Sequence, residues 1–355
     1  MTRLALFVTL LWLNVLLGSA AERVRVVTTP GNGAVPDAEI DASGTIHVAF
    51  VARQDAYYAK STNSGKTFSE PLRINAEPGT VHPPNMFRGP DLALGKNGRV
   101  HVIWYVNAFQ RKLPQEQWGV FYSYLDPGQT AFAESRNLNH KPSDNYSLAA
   151  DENGEVAVIW MAGKLFVNSS RDNGSSFGAA QIVRSADPCE CCASRAFLST
   201  DGLLSIAYRE KANNIRDMHV LTRAKGQPTF TKQKISSTPW PINACPMTGV
   251  SLGGVKNGLL MAWETKGQVF YSRLNSAKTL LPPTEIRATT QGKWPLALAD
   301  PDGRVLVSWK NDSTLFWQLH DSTDKPIGNV QSKPSPNSNR HAGVVTIEGD
   351  FLLID

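Results

Sequence analysis

Long apolar runs, basic tracts and helical periodicity are what this 355-residue sequence lacks. Beyond residue 17 nothing offers the roughly 20 consecutive apolar residues a membrane span needs, so no transmembrane segment is expected after that point. The 36 Lys and Arg against 31 Asp and Glu leave a formal charge of +5. They are scattered, and without a basic run to track a phosphate backbone nucleic-acid binding is not expected. Cysteine is confined to two places, Cys189-Glu190-Cys191-Cys192 and Cys245. What is present suits a large core cut by many turns: 41% apolar residues, nine Trp, 27 Gly and 22 Pro.

Arg3 precedes an apolar stretch from Leu4 to Leu17, interrupted at Asn14 and followed by Gly18-Ser19-Ala20-Ala21. A charged start, a short apolar centre and small residues at the end predict a secretory signal peptide over residues 1–21. The remainder, 22–355, is then expected as one exported domain, periplasmic or extracellular and monomeric.

A phrase recurs along that remainder: Gly after Ser, Asn or Asp, then alternating apolar residues ending on an aromatic. Copies run from Gly44 to Phe50, Gly98 to Trp104, Gly154 to Trp160, Gly202 to Tyr208, Gly258 to Trp263 and Gly303 to Trp309, and a seventh begins at Gly349. Period-two alternation entered through a turn that tolerates positive φ predicts half-buried strands. Each phrase has an apolar strand before it, such as Asp91-Leu92-Ala93-Leu94, and further strands after it, such as Val120-Phe121-Tyr122. Four short strands per repeat make a blade, and blades closing radially protect their edges. The expectation is an all-β propeller of seven blades, with six as the alternative, whose N- and C-terminal strands complete the last blade.

Two turns carry a more specific signature, Ser61-Thr62-Asn63-Ser64-Gly65-Lys66-Thr67-Phe68 and Ser170-Arg171-Asp172-Asn173-Gly174-Ser175-Ser176-Phe177, with a worn copy at Asp126 to Thr130. They resemble the Asp-box of the sialidase-like, or BNR-repeat, propellers. That resemblance implies a ligand site at the mouth opposite the Asp-boxes, formed by loops joining fourth to first and second to third strands. It also implies an acidic, sialic-acid-like glycan, bound or cleaved by an exo-sialidase-like glycoside hydrolase. In that family three arginines hold the sugar carboxylate, and Phe87-Arg88-Gly89-Pro90 is similar to the motif carrying the first. The family's tyrosine nucleophile comes from a late blade, whereas the last tyrosine here is Tyr271.

The same loops supply Arg195 and Arg340, Arg53, and the long segment Arg209-Glu210 to Arg216-Asp217, with Asp55, Glu264 and Asp312 as further acids. Arginine forks suit carboxylates, and carboxyl pairs suit acid–base work on sugars. The candidate glycan site is thus Arg88, Arg209, Glu210, Arg216, Asp217 and Arg340.

The cysteines admit two readings. In an oxidising compartment they form two disulfides, although only Cys245 lies outside the tight cluster, so a second bridge closes under strain. Alternatively Cys189, Cys191, Cys192 and Cys245, with Met247, form a soft-metal site for Cu(I) or Zn(II), to which Met86, His82 or His341 could add.

Overall fold

The protein was analysed as a computed structural model that describes residues 23–82, 89–106, 112, 114–256, 258–275, 284–285, 291–336 and 340–355; the expected signal segment lies outside them. Each recurring phrase is the second strand of a sheet, pairing antiparallel with the first strand before it, and seven such sheets arise, six of them wholly antiparallel. In the first blade the strands are Ala34–Ile40, Ile46–Ala52, Asp55–Ser61 and Leu72–Arg73. The first strands of the later blades are Asp91–Leu94, Asp144–Ala150, Arg195–Leu198, Val250–Val255, Lys293–Ala299 and Ala342–Val345. Each touches the first strand of the next blade and the last returns to the first, so the ring is closed around a channel lined by first strands.

Alternation alone does not hold blades together; the aromatic that ends each phrase does much of it. Phe50, Trp104, Trp160, Trp263 and Trp309 are fully buried. Each stacks on the aromatic beside it in the third strand, as Trp160 does on Phe166 at 5.9 Å and Trp309 on Phe316 at 6.0 Å. Offset stacking adds about 0.5–1.5 kcal/mol beyond the area these rings bury.

The closing blade differs from the other six. Phe351–Ile354 pairs antiparallel with Ala342–Val345 on one side and parallel with the N-terminal strand Val24–Val27 on the other. The N-terminal strand, which resembles a fourth strand in sequence, therefore sits where a third strand would, and this sheet has three strands. Bonds between Thr29 N–H and Asp355 O, and between Asp355 N–H and Val27 O, tie the two ends.

Both Asp-box-like turns adopt one geometry. Gly65 N–H donates to Ser61 Oγ and Thr67 N–H to Asn63 Oδ1, and the second turn repeats this with Gly174 and Ser170, Ser176 and Asp172. Gly65 and Gly174 occupy the left-handed region at φ 78° and 75°, where a side chain is disfavoured. Phe177 then packs edge-on against Tyr122 of the preceding blade, at 4.9 Å. These turns are joints between neighbours.

Candidate functional site at the channel mouth

Superposing the repeats on their strand register exposes a ring of equivalent positions. Asp37, Asp91, Ser147, Arg195 and Ser251 each stand opposite the residue that precedes the buried aromatic of the second strand. Four of these side chains accept the backbone N–H of the next blade: Asp37 from Leu92, Asp91 from Leu148, Ser147 from Ala196 and Ser251 from Ala297, at 2.9–3.1 Å. Each bond latches one blade to its neighbour. Arginine cannot accept, so Arg195 breaks the pattern and extends across the channel. Its guanidinium ion-pairs with Asp91 and, at 3.3 Å, with Asp37. Arg340 approaches Asp37 from the closing blade at 3.9 Å.

These groups line a channel cavity of about 510 Å³, together with Glu39 and Tyr146. Asp37 and Asp91 share a hydrogen bond and titrate apart. Burial and the Asp91 charge push the Asp37 carboxyl well above the usual range. Burial acts on Asp91 as well, but the Arg195 charge and the Asp37 hydrogen bond outweigh it and hold that carboxyl low. One proton-bearing and one ionised carboxyl side by side is the arrangement acid–base chemistry uses.

The loop of the fourth blade presents a different picture. Arg209 is buried, donating from Nη1 to Arg216 O at 2.8 Å and from Nη2 to Glu264 O, with its plane 4.9 Å from Trp240. Glu210 accepts from Tyr208 Oη and from Lys232 at 3.0 Å. Asp217 pairs with Lys234 and accepts from Trp240 N–H. Three of the four charged residues are thus committed to partners within the protein, in the loop, in the fourth strand of the blade and in the next blade. Arg216 is the exception, because its Nε and Nη1 are buried with no hydrogen-bond partner.

Arg216 has company. Its charge, with that of Arg209, acts on the cysteines. Cys189 N–H donates to Arg209 O at 2.7 Å and Cys192 N–H back to Cys189 O, so the loop coils tightly against the second strand. Asn145 of the preceding blade clamps Glu190 O at 2.6 Å. The result places the sulfurs of Cys189, Cys191 and Cys192 within 4.8 Å of one another, with Cys189 and Cys191 at 3.4 Å. All four cysteines are unbridged, and Cys245, from the next blade's loop, is near enough to act on the Cys191 thiol, which it helps to push up. S–H donation from Cys191 and Cys192 holds the Cys189 thiol far below its usual range, and Arg216 reinforces this.

Of the remaining candidates, Arg88 and Met86 lie outside the described residues. Met247 is exposed two residues beyond Cys245, with φ 53°. His341 bonds Ser308 within the closing blades and His82 packs on Tyr105. Asp55 caps its own turn through Asn75 and Gly79 N–H, and Arg53 and Asp312 form tight turns at positive φ. The described part of the mouth therefore contains two separate groups: the channel set with Arg340, and the cysteine set with Arg209 and Arg216. Asp37 and Asp91 were not among the sequence candidates. The signal for them is a polar residue at the ring position, visible once the repeats are aligned by their aromatic.

Fold and site together define a seven-bladed β-propeller with a charged channel and a cysteine cluster at its mouth. No protein-family model and no curated protein matches the chain. Solved structures similar to it include a protein of unknown function from Dyadobacter fermentans, at TM-score 0.56 and 16% identity over 85% of this chain and 94% of that one. A polysaccharide lyase acting as an ulvan lyase has TM-score 0.55 and 13% identity, over 89% and 87%. The leech intramolecular trans-sialidase has TM-score 0.50 and 12% identity, over 85% and 68%. At these identities the likeness is one of fold.

Proposed function

We propose that this protein is exported after loss of residues 1–21, and that its domain, 22–355, holds a soft metal ion at the fourth blade. The observation that carries this reading is the mutual approach of three cysteine sulfurs within 4.8 Å. Metal–sulfur bonds of about 2.3 Å let two sulfurs on one ion stand up to roughly 4.6 Å apart. The spacing thus fits one shared ion with only a small adjustment. Buried Arg209 and Arg216 offset the negative charge that several thiolates accumulate, which a cluster of neutral thiols does not need. Cu(I) and Zn(II) are the metals such ligands select. Anaerobic purification followed by metal analysis tests it. About one equivalent of metal is expected in the wild type and none in Cys189→Ser; a metal-free wild type that binds neither ion on titration sinks the reading.

A second reading belongs to the channel, where Asp37, Asp91, Arg195 and Arg340 face a cavity large enough for a sugar. There the protein binds an acidic glycan, the arginines taking its carboxylate and the two carboxyls available for acid–base chemistry. The likeness to the ulvan lyase and trans-sialidase supports a glycan in kind. Binding to a panel of uronate and sialic-acid oligosaccharides, abolished in Arg195→Ala, is the expected result; no binding to any member removes it.

A further inference from the structure

We propose that the metal is Cu(I), held by the three sulfurs of Cys189, Cys191 and Cys192, and that Cys245 is the exchange ligand through which the ion arrives from a small-thiol complex. This rests on the soft-metal reading above and assigns its metal and its route.

The sulfurs divide into an inner set and an outer member. Cys189 and Cys192 are buried at 3% and 1% exposure, Cys191 is intermediate and Cys245 is exposed. Cys245, on the loop that opens the next blade, acts on Cys191 yet stands outside the group whose sulfurs all lie within 4.8 Å of one another. A structural zinc site closes with four ligands in a tetrahedron. Three sulfurs with the fourth to one side instead suit a soft ion content with three thiolates, which is Cu(I). With three thiolates the centre carries a charge of −2, matched by the guanidinium groups of Arg209 and Arg216.

The outer position gives Cys245 a different task. It is exposed and lies outside the inner set, and its loop carries the exposed Met247, a second soft donor. An incoming Cu(I) bis-thiol complex meets Cys245 first; its thiolate displaces one external thiol, and Cys191 then draws the ion inward while the second departs. Overall a complex of charge −1 and three cysteine thiols give the three-thiolate centre, two free thiols and one proton. Copper remains Cu(I) throughout.

The test uses the full domain, anaerobic, with Cu(I) supplied as its glutathione complex and Zn(II) supplied separately. In Cys245→Ser one equivalent of Cu(I) is retained with affinity within about threefold of wild type, whereas transfer from glutathione slows by at least about tenfold, the lower end of what a lost supporting ligand costs. Cys191→Ser, shown folded by its melting temperature, loses Cu(I). Loss of Cu(I) in Cys245→Ser, unchanged transfer, or wild-type preference for Zn(II) overturns the proposal while leaving a metal site in place. A wild type without either metal overturns the earlier reading instead.

Discussion

Arg195 of the fourth blade reaches Asp37 of the first at 3.3 Å while also pairing with Asp91 of the second. One side chain thus ties three blades across the channel, at a position where four of the blades use a hydrogen-bond acceptor to latch only their neighbour. Arginine there leaves a carboxyl pair that depends on it.

Replacing Arg195 by Ala is expected to destabilise the protein by about 2–3 kcal/mol, less than the 3–5 kcal/mol of a fully buried broken pair, because its side chain is 23% exposed to channel water. Urea unfolding at neutral pH measures it. A smaller loss in Arg195→Ala combined with Asp91→Asn would locate the effect in the orphaned carboxylate.

The Asp37 carboxyl is raised in the folded protein, so the native state holds this proton more tightly than the unfolded chain. Stability from this group is therefore present below the ordinary aspartate range near 3.9 and declines as pH rises above it. Asp37→Asn, which keeps the acceptor for Leu92 N–H, should flatten that decline in a series of melting temperatures from pH 4 to 8.

His101 works in the opposite direction. It is fully buried, with Nδ1 2.7 Å from Tyr122 Oη, and burial lowers its pKa to about 4. The unfolded chain binds the proton more readily, so this contribution is present above about 6.5 and is lost as pH falls from there towards 4. His101→Leu should remove this acid-side slope, whatever its effect on baseline stability; an unchanged slope would contradict the assignment.

The Asp-box-like turns are expected to matter for blade packing. At Gly174, φ is 75° and an added Cβ would collide with Tyr122 Oη. Gly174→Ala should lower stability by at least about 2 kcal/mol, combining left-handed strain with displacement of a buried ring. Gly128→Ala, also at positive φ but with open space around it, should cost about 1 kcal/mol.

How far the sequence reaches differs between fold and site. The Gly-to-aromatic phrase fixes each second strand because turn chemistry and period-two burial act locally, and seven copies yield seven blades. The parallel pairing of Val24–Val27 with Phe351–Ile354 was not legible, since which strand a terminus joins depends on the ring that brings the ends together. For the site, the placement of the Cys189 to Cys192 loop and the Cys245 loop at adjacent blades follows from the repeat order. The commitments of Arg209, Glu210 and Asp217 to partners within the protein do not, because a charge beside a mouth looks the same in sequence whether it faces a ligand or a group of the protein itself.

Alternation, turn residues and repeat spacing by themselves determined a β-propeller with its loops gathered at one mouth, since those features act within a few residues of each other. Only the tertiary structure decided that Arg195 spans the channel, that Arg216 is buried beside the thiols, and that three sulfurs form a closer group than four. Those outcomes depend on distances between blades, which radial closure sets and no local pattern encodes.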